Sequence, residues 1–130
     1  MPNPFAQSFA SIEDSAQCAR TRTLVDTLFL AACVTTYKPA ALGAGYGPDH
    51  QRDPNFHRHL GLTMMEDHAA GLPFRCSLVT NYKSGIPGAQ YFEMARSLGY
   101  NIPMGIPAER AFWEDQIRKL GQNPAQLRLV

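Results

Sequence analysis

An excess of either charge is missing from this chain of 130 residues: Lys and Arg number 12, Asp and Glu 11, and the formal net charge is +1. That balance excludes an acidic mimic of DNA and argues against a protein that coats nucleic acid with its whole surface. It leaves room for a local basic patch. Cysteine is scarce. Cys18, Cys33 and Cys76 are widely spaced and form no Cys-x-x-Cys pair, which argues against a disulfide framework or a zinc ribbon. Long apolar runs are absent too. The greasiest segment, Leu24 to Val34, contains Asp26 and falls short of the ~20 apolar residues that span a bilayer. Met1-Pro2-Asn3-Pro4-Phe5 carries no basic stretch leading into an apolar one, so no secretory signal is expected. The expectation is a soluble, cytoplasmic protein with no membrane contact.

What is present fits one globular domain: 45% apolar and 18% charged residues, with no internal repeat or low-complexity tract. Most of the ten Gly and ten Pro lie after residue 38, dividing the chain into a helical first third and a punctuated remainder. Ser11 and Asp14 suggest a helix start, and Ile12, Ala16, Ala19, Leu24, Val25, Leu28, Phe29 and Ala32 follow at helical spacing. With Leu30 off that stripe, the pattern predicts a central helix buried on more than one side. Val34-Thr35-Thr36 interrupts it. Thr36 is placed to cap a short helix from Tyr37 to about Leu42, ended by Gly43, Gly45 and Gly47-Pro48.

Asp53-Pro54 is a strong start for the next helix, which Gly71 closes ahead of Leu72-Pro73. Cys76 to Tyr82 is rich in β-formers and predicts a strand, followed by a turn at Lys83-Ser84-Gly85. Pro87-Gly88 opens a helix with Tyr91, Phe92, Ala95 and Leu98 inward, and Gly105-Ile106-Pro107 opens the last, with Phe112, Trp113, Ile117 and Leu120 inward. One strand cannot stand alone. A partner is expected in Tyr100-Asn101-Ile102 or near Leu127-Arg128-Leu129-Val130. The expected fold is α+β: a mostly helical single domain with a small two- or three-stranded sheet and a winged-helix-like centre.

Two resemblances accompany this reading. Leu78 to Phe92, with Ser84-Gly85-Ile86-Pro87-Gly88 at its centre, runs into Ala95-Arg96-Ser97-Leu98-Gly99. It resembles a signature of small bacterial proteins of unassigned function, in which a Val-Asn-Lys-like strand meets a Thr-Gly-x-Pro-Gly turn and an aromatic helix. Thr36-Tyr37-x-x-Ala40-Ala41-Leu42-Gly43 resembles that group's Thr-Tyr helix start, and Tyr82 departs from the pattern by standing between Asn81 and Lys83. More loosely, the order of elements is similar to the winged-helix domain of alkyltransferase-like proteins. Their Pro-Cys-His-Arg motif is not reproduced by Pro73-Phe74-Arg75-Cys76-Ser77, so the resemblance implies layout without chemistry.

Catalytic and metal constellations are thin. His50, His57, His59 and His68 lie among Asp49, Asp53, Glu66 and Asp67, yet at no recognised ligand spacing. His57 and His59 point about 200° apart on a helix, and His57 and His68 stand ~16 Å apart along one. No Gly-x-Ser-x-Gly elbow surrounds Cys76 or Ser77, and Gly43-Ala44-Gly45-Tyr46-Gly47 follows a helix rather than a strand, with no Lys-Ser/Thr after it. No enzyme, cofactor or metal is therefore expected.

A non-enzymatic binding protein remains, its partner a larger protein or nucleoprotein complex. Its size and resemblance fit a phage or mobile-element inhibitor of a host defence complex, such as an anti-CRISPR. The candidate interface is Tyr46, Arg52, Asn55, His57, Arg58, Tyr82, Lys83, Arg96 and Tyr100, residue types that anchor interfaces or reach phosphates and bases. The alternative is a winged-helix-like DNA-binding module. In it the helix after Pro54 would be the recognition helix and the Lys83-Ser84 turn the wing. A cysteine- or metal-dependent enzyme is a third class.

Overall fold

The computed structural model describes residues 4–46 and 54–130, with side chains from residue 14 onward in the first stretch. Its first helix, α1, runs over Pro4–Ala31 and so begins upstream of the Ser11 start expected from the capping pattern. It is not the central helix. Cys18, Thr21, Val25 and Leu28 form one buried stripe at helical spacing, while Phe29 and Ala32, expected on it, are exposed and Leu30 is 82% exposed. At its end, Cys33 N–H donates to the Leu28 carbonyl and Ala32 N–H to that of Phe29. Ala32 takes the left-handed position of this closure at φ 53°, where glycine is usual.

The chain passes directly into β1 (Thr35–Thr36) and then α2 (Tyr37–Gly43). Thr36 holds the N-cap position as expected but makes no side-chain capping bond. Gly45, at φ 82°, turns the chain so that Tyr46 N–H reaches the Ala41 carbonyl and the Tyr46 ring enters the core. A Cβ at Gly45 would stand 2.8 Å from Arg20 Nε, so the close approach of α1 reinforces the need for glycine. The third helix, α3 (Pro54–Ala69), is the hub, packing on α1 along one side and on α4 (Ala89–Ser97) along the other. Gly71 ends it, as the sequence indicates, with Leu72 N–H donating to the Asp67 carbonyl.

The strand expected over Cys76–Tyr82 is shorter. Arg75–Leu78 is a 3-10 turn, and only Val79–Thr80 forms β2. Side chains fix the chain into and through this turn, and the Ser77 carbonyl is the group of the expected strand that they take. Gln116 Oε1 accepts from Phe74 N–H, Asp67 Oδ2 accepts from Arg75 N–H, and Trp113 Nε1 donates to the Ser77 carbonyl. β2 pairs in parallel with β1, Thr35 opposite Val79 and Thr36 opposite Thr80. The missing partner strand is thus the Val34-Thr35-Thr36 interruption. Leu129, in the C-terminal segment named as a candidate, adds an isolated bridge to Val34, whereas Tyr100-Asn101-Ile102 is not a strand. Because β1 and β2 are parallel, the Lys83-Ser84 turn joins no pair of strands. It leads to α4 instead.

The last helix is α5 (Ile106–Lys119). With α4 and the 3-10 turn it encloses an aromatic cluster in which Tyr100 lies 5.4 Å from both Phe74 and Phe112, centroid to centroid. The architecture is one compact α+β domain, with five helices and a two-stranded parallel sheet among the described residues. No helix among those residues is long and apolar enough to cross a membrane.

Candidate functional site

Nine residues were expected at an interface, and the fold distributes them unevenly. Tyr46 is 5% exposed: its hydroxyl lies 2.9 Å from Thr21 Oγ1 and 2.5 Å from His59 Nδ1, which removes it from any surface. Tyr100 belongs to the aromatic cluster rather than to an open face. Arg96 is spent on the chain itself, donating to the Ile102 and Pro103 carbonyls and to Glu109. Asn55 sits exposed in the first turn of α3 and accepts a bond from Arg58, whose main partner is Asp14 of α1. Arg52 lies outside the described residues, as do His50, Asp49 and Asp53.

The remaining three, His57, Tyr82 and Lys83, converge. A groove of about 570 Å³ lies between the start of α3, the start of α4 and the turn after β2. It is lined by Lys38, His57, Asn81, Tyr82, Lys83 and Gln90, with Tyr37 at its base. The turn is held from within. Asn81 Oδ1 accepts from Lys83 N–H, Gly85 N–H donates to the Asn81 carbonyl, and Asn81 N–H donates to that of Ile86. This frame presents Tyr82 at 85% exposure, although the ring has apolar area to bury. The Tyr37 ring meets the His57 ring at a tilt, 5.3 Å between centroids, and its hydroxyl accepts the Gly88 N–H at 2.7 Å. Burial pushes the Tyr37 phenol up to about 12, so it stays neutral and keeps its own proton to donate.

The groove has a sign. Among the described residues no Asp or Glu lines it, and neither Lys38 nor Lys83 joins an ion pair. Lys38 and the Tyr37 base were not singled out from sequence. A basic residue directly after the Thr-Tyr helix start was the available signal.

The other polar clusters are internally matched. Asp14 Oδ1 lies 2.9 Å from His59 Nε2, and Arg58 pairs with the same carboxylate. Desolvation works against the charged form of Asp14, but the bonds from Arg58 and His59 outweigh it and hold the carboxyl below its ordinary value. Asp67 is buried and takes both Arg75 Nε, at 3.0 Å, and Arg75 N–H, while Asp26 meets the same guanidinium from α1. Burial pushes the Cys76 thiol far up, which removes the thiolate a nucleophile would need. No group of three His, Cys, Asp or Glu among the described residues is arranged to hold a metal ion. No protein-family model, curated protein or solved structure matches the chain.

Proposed function

We propose that this protein is a non-enzymatic binding module that holds a single-stranded nucleic acid along the groove between α3, α4 and the Tyr82 turn. The observation that carries the reading is the groove's composition. Among the described residues it has two lysines without ion-pair partners, a histidine, no carboxylate, and an exposed tyrosine at the rim. Lysines neutralise phosphates, and a ring stacks on a base whatever its identity; together they are the elements of strand binding without sequence readout. A duplex read by α3 fits less well. Arg58–Asp14 and Arg22–Glu66 tie the outer face of α3 to α1, and Glu66 would face the phosphates.

Fluorescence anisotropy with a labelled oligothymidine, repeated across salt concentrations, tests the reading. The expected result is weak to moderate binding whose logarithm falls with log salt at a slope of about −1.4, ~0.7 for each lysine. Binding that is absent at low salt would overturn it. A protein partner is the second reading, favoured by the same Tyr82 ring held out on a braced turn. It predicts that Tyr82→Ala abolishes a contact whose strength hardly changes with salt, and it retains the inhibitor role suggested by size.

A further inference from the structure

The basic groove opens beside a second, larger cavity of about 800 Å³ between α3 and α4, and the two share Tyr37, His57 and Gln90 as a common wall. Their characters differ. Leu60 and Met64 from α3 and Met94 from α4 make the walls of the second cavity apolar, and Tyr91 and Cys76 form its buried floor. The Tyr91 hydroxyl is 2.6 Å from Ser77 Oγ, and burial keeps phenol and thiol uncharged. Gly61 faces this space without a side chain: a Cβ there would stand 3.1 Å from Met94 Cε, the end of a side chain from α4. The rim is polar, with Arg58 on one side and Gln90 and Glu93, one helical turn apart, on the other.

We infer that this cavity is a base-accepting pocket, taking a single unstacked, amine-bearing base, guanine foremost, from a strand held in the neighbouring groove. The inference rests on the proposed strand-binding reading. Its geometric support is the shared aromatic wall, which gives a nucleotide whose phosphate sits by Lys38 and Lys83 a short path for its base across Tyr37 and His57. Charge gives the direction. A carboxylate at the rim repels phosphate but accepts from the ring and exocyclic N–H groups of a base, as acidic side chains accept from base amines. Apolar walls, thioethers and aromatic rings are the surroundings in which extruded bases are held. The volume falls in the ordinary range for small-ligand sites. Glu93 on the rim favours a neutral base over an anionic amphiphile such as a fatty acid.

The test uses short thymidine strands of about six nucleotides. Each carries a guanine, a thymine or an abasic site at one internal position, and each is titrated into the full chain by anisotropy. Guanine is expected to bind about tenfold more tightly than the abasic strand and to exceed thymine by several-fold. Gly61→Leu, which fills the cavity, is expected to bring the guanine-to-abasic ratio towards one. Glu93→Gln, an exposed change that leaves the packing of α4 intact, is expected to lower the guanine-to-thymine ratio. A 2-aminopurine at the same position should change its emission on binding the wild type, and less so on binding Gly61→Leu. Equal affinity for the three strands would overturn the pocket while leaving strand binding standing. Failure of every strand to bind would overturn both.

Discussion

His57 and His59 are two residues apart on α3, and the helix turns them into opposite surroundings. His59 is sealed against α1 and the turn after α2, its two ring nitrogens at 2.5 Å from the Tyr46 hydroxyl and 2.9 Å from Asp14. His57 packs at a tilt against Tyr37 at the wall of an open groove. The same contrast holds along both edges of the helix. Towards α1, polar groups meet protein partners: Asp14 with Arg58 and His59, and Asp67 and Asp26 with Arg75. Towards the groove, Lys38 and Lys83 have no ion pair among the described residues. Charges matched inside the molecule hold the fold, and charges left facing a concavity are available to a ligand.

Mutations on the two edges should separate stability from binding. Asp67→Ala leaves the Arg75 N–H unpaired and the guanidinium to Asp26 alone, so urea denaturation should show a loss of about 3 kcal/mol, the upper end of the cost of an unsatisfied buried group. Tyr46→Phe leaves His59 Nδ1 and Thr21 Oγ1 short of a partner and should cost about 1–3 kcal/mol in the same assay. Lys38→Ala with Lys83→Ala should change stability by no more than about 0.5 kcal/mol, because neither side chain joins an ion pair among the described residues. A loss on the scale of Asp67→Ala would erase the distinction between the edges.

Acid probes the α1 edge more gently. The folded Asp14 carboxyl titrates below the ordinary value of 3.8, so its contribution is fully present above that value. It is lost as pH falls from 3.8 through the lowered folded value. Stability measured over that window should fall less steeply in Asp14→Asn than in the wild type.

Helices were the most legible part of the sequence, and their ends more so than their surroundings. Pro54, Gly71, Gly99 and Gly105 marked boundaries because proline and left-handed glycine act locally. The burial of α1 was misjudged because its apolar residues continue past the packed stripe to Phe29 and Leu30, which no neighbour covers. The Cys76–Tyr82 segment read as a strand from its β-formers, but its first three residues belong to a 3-10 turn and Trp113, remote in sequence, claims the Ser77 carbonyl. Of the candidate site, His57, Tyr82 and Lys83 were legible as exposed types next to turn signals. Tyr46 and Tyr100 carry the same residue type, yet Tyr46 is core and Tyr100 half-buried against it, and only tertiary packing separates them from Tyr82. Lys38 enters the groove because α2 follows β1 directly, a placement set by a parallel pairing between strands more than forty residues apart.

The account stands most directly on where a strand contacts the surface. Backbone amide shifts recorded by NMR during titration with a short oligothymidine would locate it. The expected result is a set of perturbed amides confined to Tyr37, Lys38, His57, Asn81 to Lys83 and Gln90, reversed by added salt. Perturbations centred on α1 or α5, or none at low salt, would contradict it.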